Sequence, residues 1–189
     1  MDDLEKKLVY ILKEKTPYIQ PLFDTADRYL SSYYIGAGVV VQTVWNDLHG
    51  YDPGYGIGDA DIIFHDEKGT LTEERKLEAS LKKRMDDYPF EIDITNEALV
   101  HQWYEDKFDQ VIEPYTSSEA AIDTWPTTAS AIGVKRLVEG SYQVYAPYGL
   151  EDLFRMTVRP NKKLITEDIY YKKAHKWKSR WPMLKISPW

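Results

Sequence analysis

Two stretches of the sequence each carry a pair of carboxylates at alternating positions. Asp59 and Asp61 begin Asp-Ala-Asp-Ile-Ile-Phe, and Glu91 and Asp93 begin Glu-Ile-Asp-Ile-Thr. Successive side chains of a β-strand point to opposite faces, so each pair would share one face of its strand. If the two strands are neighbours, three or four carboxylates converge, and such a group is unstable unless protons or cations neutralise it.

A hard divalent cation is the ligand that this group of side chains favours. The chain has no cysteine and its four histidines are scattered, so zinc is a poor fit, whereas carboxylate oxygens are typical ligands of Mg²⁺ or Mn²⁺. An EF-hand is excluded, because counting from Asp59 places Ile63, Phe64 and Thr70 where that loop requires a polar ligand, glycine and glutamate. Glu91 is better explained as a solvent-facing strand residue.

Strands, a turn and helices are predicted around these carboxylates and would position them. An aromatic and β-branched run at residues 31–38 ends in glycines and is followed by an apolar stretch, residues 39–48, which predicts a strand, a tight turn and a helix. Residues 49–58 hold four glycines and a proline and must form a loop before the strand at residues 59–65. Thr70 and Glu73 form a capping-box pattern at the start of a helix, and residues 89–95 alternate as a half-buried strand does.

The second half of the chain is predicted to be mostly helical. A helix is expected from about Glu97, with Val100, Tyr104 and Phe108 as its inner stripe. Further helices are predicted near residues 117–123, 149–158 and 166–179, with short strands within 134–146. The predicted fold class is therefore α/β (α+β), a small mixed sheet flanked by helices with a helical C-terminal part. We expect one domain over residues 1–189, with a helical lead-in at about 1–30 and a basic helical tail at about 166–189.

The order of these elements resembles the nucleotidyltransferase fold of the DNA polymerase β superfamily. In that fold a strand ends at a glycine turn before a helix, the next strand carries Asp-x-Asp, and a neighbouring strand supplies a third carboxylate. Ile-Gly-Ala-Gly at residues 35–38, Asp-Ala-Asp at 59–61 and Asp93 occupy these places. The amino-acid sequence of residues 35–50, 92–98 and 124–129 is similar to that of a bacterial family of nucleotidyltransferase-like proteins.

The resemblance implies a function and a set of site residues. Asp59, Asp61 and Asp93 would be catalytic residues and ligands of Mg²⁺ or Mn²⁺, and an NTP would donate its nucleoside monophosphate to a hydroxyl of a small molecule, RNA or protein. The turn Gly36, Ala37 and Gly38 would bind the phosphates. Lys135 and Arg136 follow the third carboxylate and are further phosphate candidates. Ala37 stands where the superfamily has glycine or serine, so the alternative is a catalytically silent nucleotide-binding or antitoxin-like interaction module.

Charge is distributed unevenly along the chain. Residues 1–168 hold 18 bases against 31 acids, a net charge of −13, whereas the remaining residues carry +6. The body is therefore a poor nucleic-acid surface, but the tail interleaves lysines with aromatics at residues 170–181. That pattern is typical of a helix whose aromatics dock on the body, and less often of a nucleic-acid strip. The acidic start and the lack of a long apolar run predict a cytoplasmic protein without a membrane span.

Overall fold

A five-stranded mixed sheet lies at the centre of the computed structural model, which describes residues 1–189. Its strands in chain order are β1 (Tyr34–Gly36), β2 (Asp59–Phe64), β3 (Glu91–Asn96), β4 (Gly133–Arg136) and β5 (Tyr142–Tyr145). In space the order is β3-β2-β1-β4-β5, with β2 and β3 parallel and the other neighbours antiparallel. A separate pair, β6 (Thr157–Val158) and β7 (Lys185–Ile186), is parallel.

Eight α-helices surround the sheet, and one 3₁₀ helix (Glu97–Gln102) follows β3 directly. The α-helices are α1 (Asp3–Glu14), α2 (Ile19–Tyr29), α3 (Gly38–His49), α4 (Leu71–Arg84), α5 (Tyr104–Phe108), α6 (Ser118–Ile122), α7 (Glu151–Phe154) and α8 (Glu167–Arg180). The predicted class of a small mixed sheet flanked by helices is confirmed. None of these helices is long and apolar enough to cross a membrane.

The two faces of the sheet have different environments because side chains alternate along each strand. Ala60, Ile62, Ile92 and Ile94 point into the main hydrophobic core, to which α1, α2, α3 and α8 also contribute. The opposite face carries the carboxylates of β2 and β3. It is covered only in part by a small cluster around Tyr34, Ile63 and Ile122. One face of the sheet therefore holds the fold together, and the other is left with polar side chains beside an open surface.

The helix starts are explained by local sequence. The Thr70 hydroxyl accepts a hydrogen bond from the Glu73 amide, and the Glu73 side chain accepts one from the Thr70 amide, so the predicted capping box of α4 is present. Helix α3 is buried along most of its length and ends at Gly50, whose φ of +68° closes the last turn.

Two helix predictions differ from the structure. The segment after Glu97 is a 3₁₀ helix followed by the short α5, and Phe108 is exposed rather than part of an inner stripe. The segment 149–158 holds only the four-residue α7 before the chain enters β6.

Candidate active site

The register of β2 and β3 sets the spacing of the carboxylates. Asp61 lies directly opposite Asp93, and Asp59 lies opposite Glu91, on two parallel strands. All four side chains therefore leave the same face of the sheet. Asp61 is partly buried, whereas the other three are exposed. The structure thus brings Asp59, Asp61 and Asp93 to one surface, at the positions that the alternating sequence predicts.

The glycine turn lies against these carboxylates. Gly36 is the Cα partner of Asp61 across the β1–β2 pair, and α3 begins two residues later at Gly38. A β-carbon at Gly38 would overlap Oδ1 of Asp59, so glycine is required for this close approach. Ala37, between the two glycines, has φ +52° and ψ −135°, a backbone conformation that residues other than glycine rarely adopt.

A cleft of about 290 Å³ opens beside the turn. Gly38, Asp59 and Asp61 form one side of its lining, and the basic side chains of α8 contribute the other. These bases are Lys173, Lys176 and Arg180. They recur at intervals of three and four residues, which places them on one face of the helix. The cleft therefore joins acidic and basic groups that are more than 100 residues apart in the sequence.

Gln42 adds an unsatisfied polar group to this cleft. Its side chain lies one turn into α3, only 7% exposed, and its Oε1 has no hydrogen-bond partner within the chain. A buried amide oxygen without a partner is uncommon in native structures and points to a missing donor. A bound molecule in the cleft can provide that donor.

Helix α8 is held in place by its aromatic side. Trp181 Nε1 donates to Oδ1 of Asn46 over 2.7 Å, and Trp45 packs against both Trp177 and Trp181 at ring-centroid distances of 5.4 and 5.5 Å. Arg180 Nη1 donates to the Gly56 carbonyl over 2.8 Å, which ties the helix to the glycine-rich loop. The docked-helix explanation of the tail fits these contacts, and the buried Trp181 is not available to stack on bases.

Burial and like charge perturb the carboxylates most strongly around Asp61. Burial, followed by the negative charges of Asp59 and Asp93, raises the pKa of Asp61 to about 7, and Lys173 opposes this shift. Burial likewise raises the pKa of Glu97 to about 8, with smaller contributions from Asp61 and Glu74. Both carboxyls are therefore protonated more readily than free carboxyls, chiefly because they are buried and in part because acidic groups surround them.

The chemistry of these side chains fits a hard divalent cation, which would relieve the repulsion at Asp61. As placed, no group of three or more carboxylate or histidine side chains is arranged around a metal position. The Asp93 carboxylate instead lies 3.6 Å from Nζ of Lys82.

Lys135 and Arg136 are not brought to this cleft. Arg136 leaves the opposite face of the sheet, where its Nη2 lies 2.6 Å from carboxylate oxygens of both Asp24 and Asp27. The Lys135 ammonium lies 4.7 Å from the centroid of the Tyr34 ring. Both line a separate cavity of about 830 Å³. Side chains alternate along β4, so Lys135 and Arg136 leave opposite faces of the sheet, and neither lines the cleft beside the glycine turn.

Asp61 also borders two cavities on the β3 side, of about 340 and 380 Å³. Glu97, Trp103 and Trp125 line both of them. Sequence reasoning missed Glu97, which carries no local signal beyond the end of a strand. It also missed the bases of α8 as cleft residues, although their three-and-four spacing was visible in the tail.

Comparisons with known proteins agree with this geometry. Residues 24–186 match a family model described as nucleotidyltransferase. A solved structure, described as an NMR structure that reveals a CCA-adding enzyme head domain, is 26% identical in sequence and superposes with a TM-score of 0.79. That likeness covers 97% of this chain and 96% of the other chain. No curated protein matches the sequence.

Proposed function

This chain belongs to the nucleotidyltransferase family, and on that premise we propose that it transfers a nucleoside monophosphate from an NTP to an acceptor hydroxyl with Mg²⁺ or Mn²⁺ as cofactor. The observation that carries the proposal is the cleft in which Asp59 and Asp61 face the bases of α8. Acids on one wall suit a divalent cation and bases on the other suit the oxygens of a triphosphate.

The bases of α8 and the glycine turn would hold the triphosphate. Lys173, Lys176 and Arg180 would supply charged donors. Ala37 and Gly38, at the start of α3, also line the cleft, and a helix N-terminus favours an anion. Gln42, with its unpartnered Oε1, can accept from a ribose hydroxyl or a base amino group. These contacts would orient the α-phosphate toward Asp61.

Asp59, Asp61 and Asp93 would be the ligands of the divalent cation. When bound, the cation neutralises phosphate oxygens and lowers the pKa of the acceptor hydroxyl. The hydroxyl oxygen bonds to the α-phosphorus, the bond from that phosphorus to the bridging oxygen of the β-phosphate breaks, and pyrophosphate leaves. The hydroxyl proton passes to a carboxylate of the site and then to water. Asp93 must exchange its contact with Lys82 for this role.

The first experiment is thermal unfolding with each NTP, with and without Mg²⁺. A ligand at 100 times its Kd adds about 2.7 kcal/mol to the free energy of unfolding. We expect this gain in wild type and its loss in Asp59→Ala/Asp61→Ala and in Lys176→Ala. Lys172→Ala is the matched control, because Lys172 is an exposed lysine of the same helix that does not line the cleft.

Pyrophosphate release then separates an enzyme from a binding module. Release that requires Asp59 and Asp61 supports transfer. A Mg²⁺-dependent gain in stability with no pyrophosphate release for any acceptor supports the catalytically silent module instead. The strained Ala37 in the turn at residues 36–38 is the structural observation that favours this alternative. No gain with any NTP contradicts both.

A further inference from the structure

Glu97 is a buried carboxylate with no partner in the protein. It is 6% exposed at the first position of the 3₁₀ helix. No hydrogen bond or ion pair of the chain reaches its side-chain oxygens, whereas two neighbouring acids are satisfied. Glu74 accepts from the Asn96 amide over 2.6 Å, and Glu78 lies 2.8 Å from Nζ of Lys82. A carboxylate that is buried and unpaired destabilises a fold unless it takes up a proton or a bound cation compensates its charge.

The surroundings of Glu97 form a place for such a group. The two cavities of about 340 and 380 Å³ share five lining residues, and these are Asp61, Thr95, Glu97, Trp103 and Trp125. Each volume is in the range of small-molecule sites. The smaller cavity is lined by five acids and a single base, Lys107. The shared walls therefore combine negative charge with indole faces.

An indole face and a carboxylate together favour an organic cation. The quadrupole of an aromatic ring attracts ammonium groups, and the carboxylate supplies the opposite charge. Trp103 already has an ammonium near one face, because Nζ of Lys107 lies 5.3 Å from its ring centroid. A phosphate-rich acceptor such as an RNA end would instead bring its negative charge against the acids.

The cavities lie where an acceptor has to be. Strand β2 separates the nucleotide cleft, on its β1 side, from these cavities, on its β3 side. Asp61 lines the cleft and both cavities, and Trp125 does so too. A molecule beside Glu97 would therefore lie next to Asp61, the residue that the cavities share with the nucleotide cleft.

We propose that the acceptor is a small hydroxylated organic cation, an amino alcohol or a hydroxylated quaternary amine, whose ammonium group pairs with Glu97 beside Trp103 and Trp125. The inference rests on the proposed transfer reaction, which the acceptor hydroxyl completes with the same bond changes. Glu97 then sets the charge of the acceptor, and the indoles set its shape.

Binding is tested with choline and its neutral isostere 3,3-dimethylbutan-1-ol, and with the pairs ethanolamine and ethylene glycol, and glucosamine and glucose. Titrations at pH 8.5 follow the indole N–H signals in NMR spectra. We expect at least one cation to bind wild type roughly tenfold or more tightly than its neutral partner, and Glu97→Gln to abolish that difference. Glu78→Gln is the control, because Glu78 lines the same region but is already paired with Lys82. If every neutral partner binds wild type as well as its cation, or if Glu97→Gln retains the preference, the inference is wrong.

Failure of this inference is distinguishable from failure of the transfer reaction. Glu97-dependent binding of a cation without Mg²⁺-dependent NTP binding would leave the cation site in place and contradict transfer. Mg²⁺-dependent NTP binding, together with pyrophosphate release on an RNA end or a neutral sugar that is equal in wild type and Glu97→Gln, would leave transfer in place and overturn the cationic acceptor.

Discussion

Replacing Glu97 by glutamine should change how the free energy of unfolding depends on pH. Burial, with the charges of Asp61 and Glu74, raises the pKa of Glu97 from its ordinary value of 4.5 to about 8 in the folded chain. Below pH 4.5 the carboxyl is protonated in both the folded and the unfolded states. Between pH 4.5 and 8 only the folded state keeps the proton, so unfolding releases it and stability falls as the pH rises. Above pH 8 both states are ionised and the loss is complete.

The size of this effect follows from the two pKa values. Each unit of difference corresponds to about 1.4 kcal/mol, so the full range amounts to about 5 kcal/mol. From pH 5.5 to 8.5 the wild type should lose about 3 kcal/mol through this one group. Glutamine has the same shape and no charge, so Glu97→Gln should lack that part of the loss and should be the more stable protein at pH 8.5.

The measurement is urea unfolding of both proteins at pH 5.5 and 8.5 with EDTA present. Glu78→Gln is the control, because its carboxylate is partly exposed and paired with Lys82. We expect the control to follow the wild type within about 0.5 kcal/mol. Parallel pH profiles for wild type and Glu97→Gln would refute the reasoning, because they would mean that the carboxylate is ionised in the folded state without a penalty.

Three substitutions and one control variant test the turn and the docked helix. Gly38→Ala should move the Asp59 carboxylate and reduce pyrophosphate release by roughly tenfold or more. Gly54→Ala, whose added carbon would meet only the Phe90 ring at 3.4 Å and which does not line the cleft, should leave the release unchanged. Equal activity of the two variants would contradict the close approach. Ala37→Gly should raise the free energy of unfolding by about 1 kcal/mol, measured in urea, because glycine tolerates φ +52°. Trp181→Phe removes the indole N–H that joins α8 to α3 and should lower the free energy of unfolding by about 1–3 kcal/mol. An unchanged midpoint of urea unfolding would show that this hydrogen bond contributes nothing.

Local sequence was sufficient for much of the sheet and for part of the site. The alternation in residues 59–64 and 91–96 gives both the strands and the face on which Asp59, Asp61 and Asp93 lie, because the period of a strand is fixed. The capping box at Thr70 likewise depends on residues within one helical turn. The sequence left open whether these two strands are neighbours, and the structure shows them paired in parallel, with Asp61 opposite Asp93.

The parts that sequence reasoning missed depend on contacts between distant segments. The tail pattern predicts a helix with basic and aromatic faces. Local sequence does not reveal that Trp181 binds Asn46, 135 residues away, or that Lys173 lines the cleft with Asp59. Arg136 was named as a phosphate candidate because it follows the third carboxylate, and the sequence does not reveal that Asp24 and Asp27, on a helix far away in the chain, lie beside it. Glu97 is distinguished only by burial, which is a property of the folded state.

The docking of α8 on α3 also determines when the cleft can be completed during synthesis of the chain. Synthesis runs from the N-terminus, so all strands of the five-stranded sheet leave the ribosome before α8 does. Until then the carboxylates of β2 and β3 are exposed to each other without the bases of the cleft, and the buried faces of Trp45 and Asn46 are open to solvent. A nascent chain therefore exposes apolar surface on α3 until α8 is made. If the proposed cleft binds the triphosphate, a chain that ends before Glu167 should not bind nucleotide, because it lacks Lys173, Lys176 and Arg180.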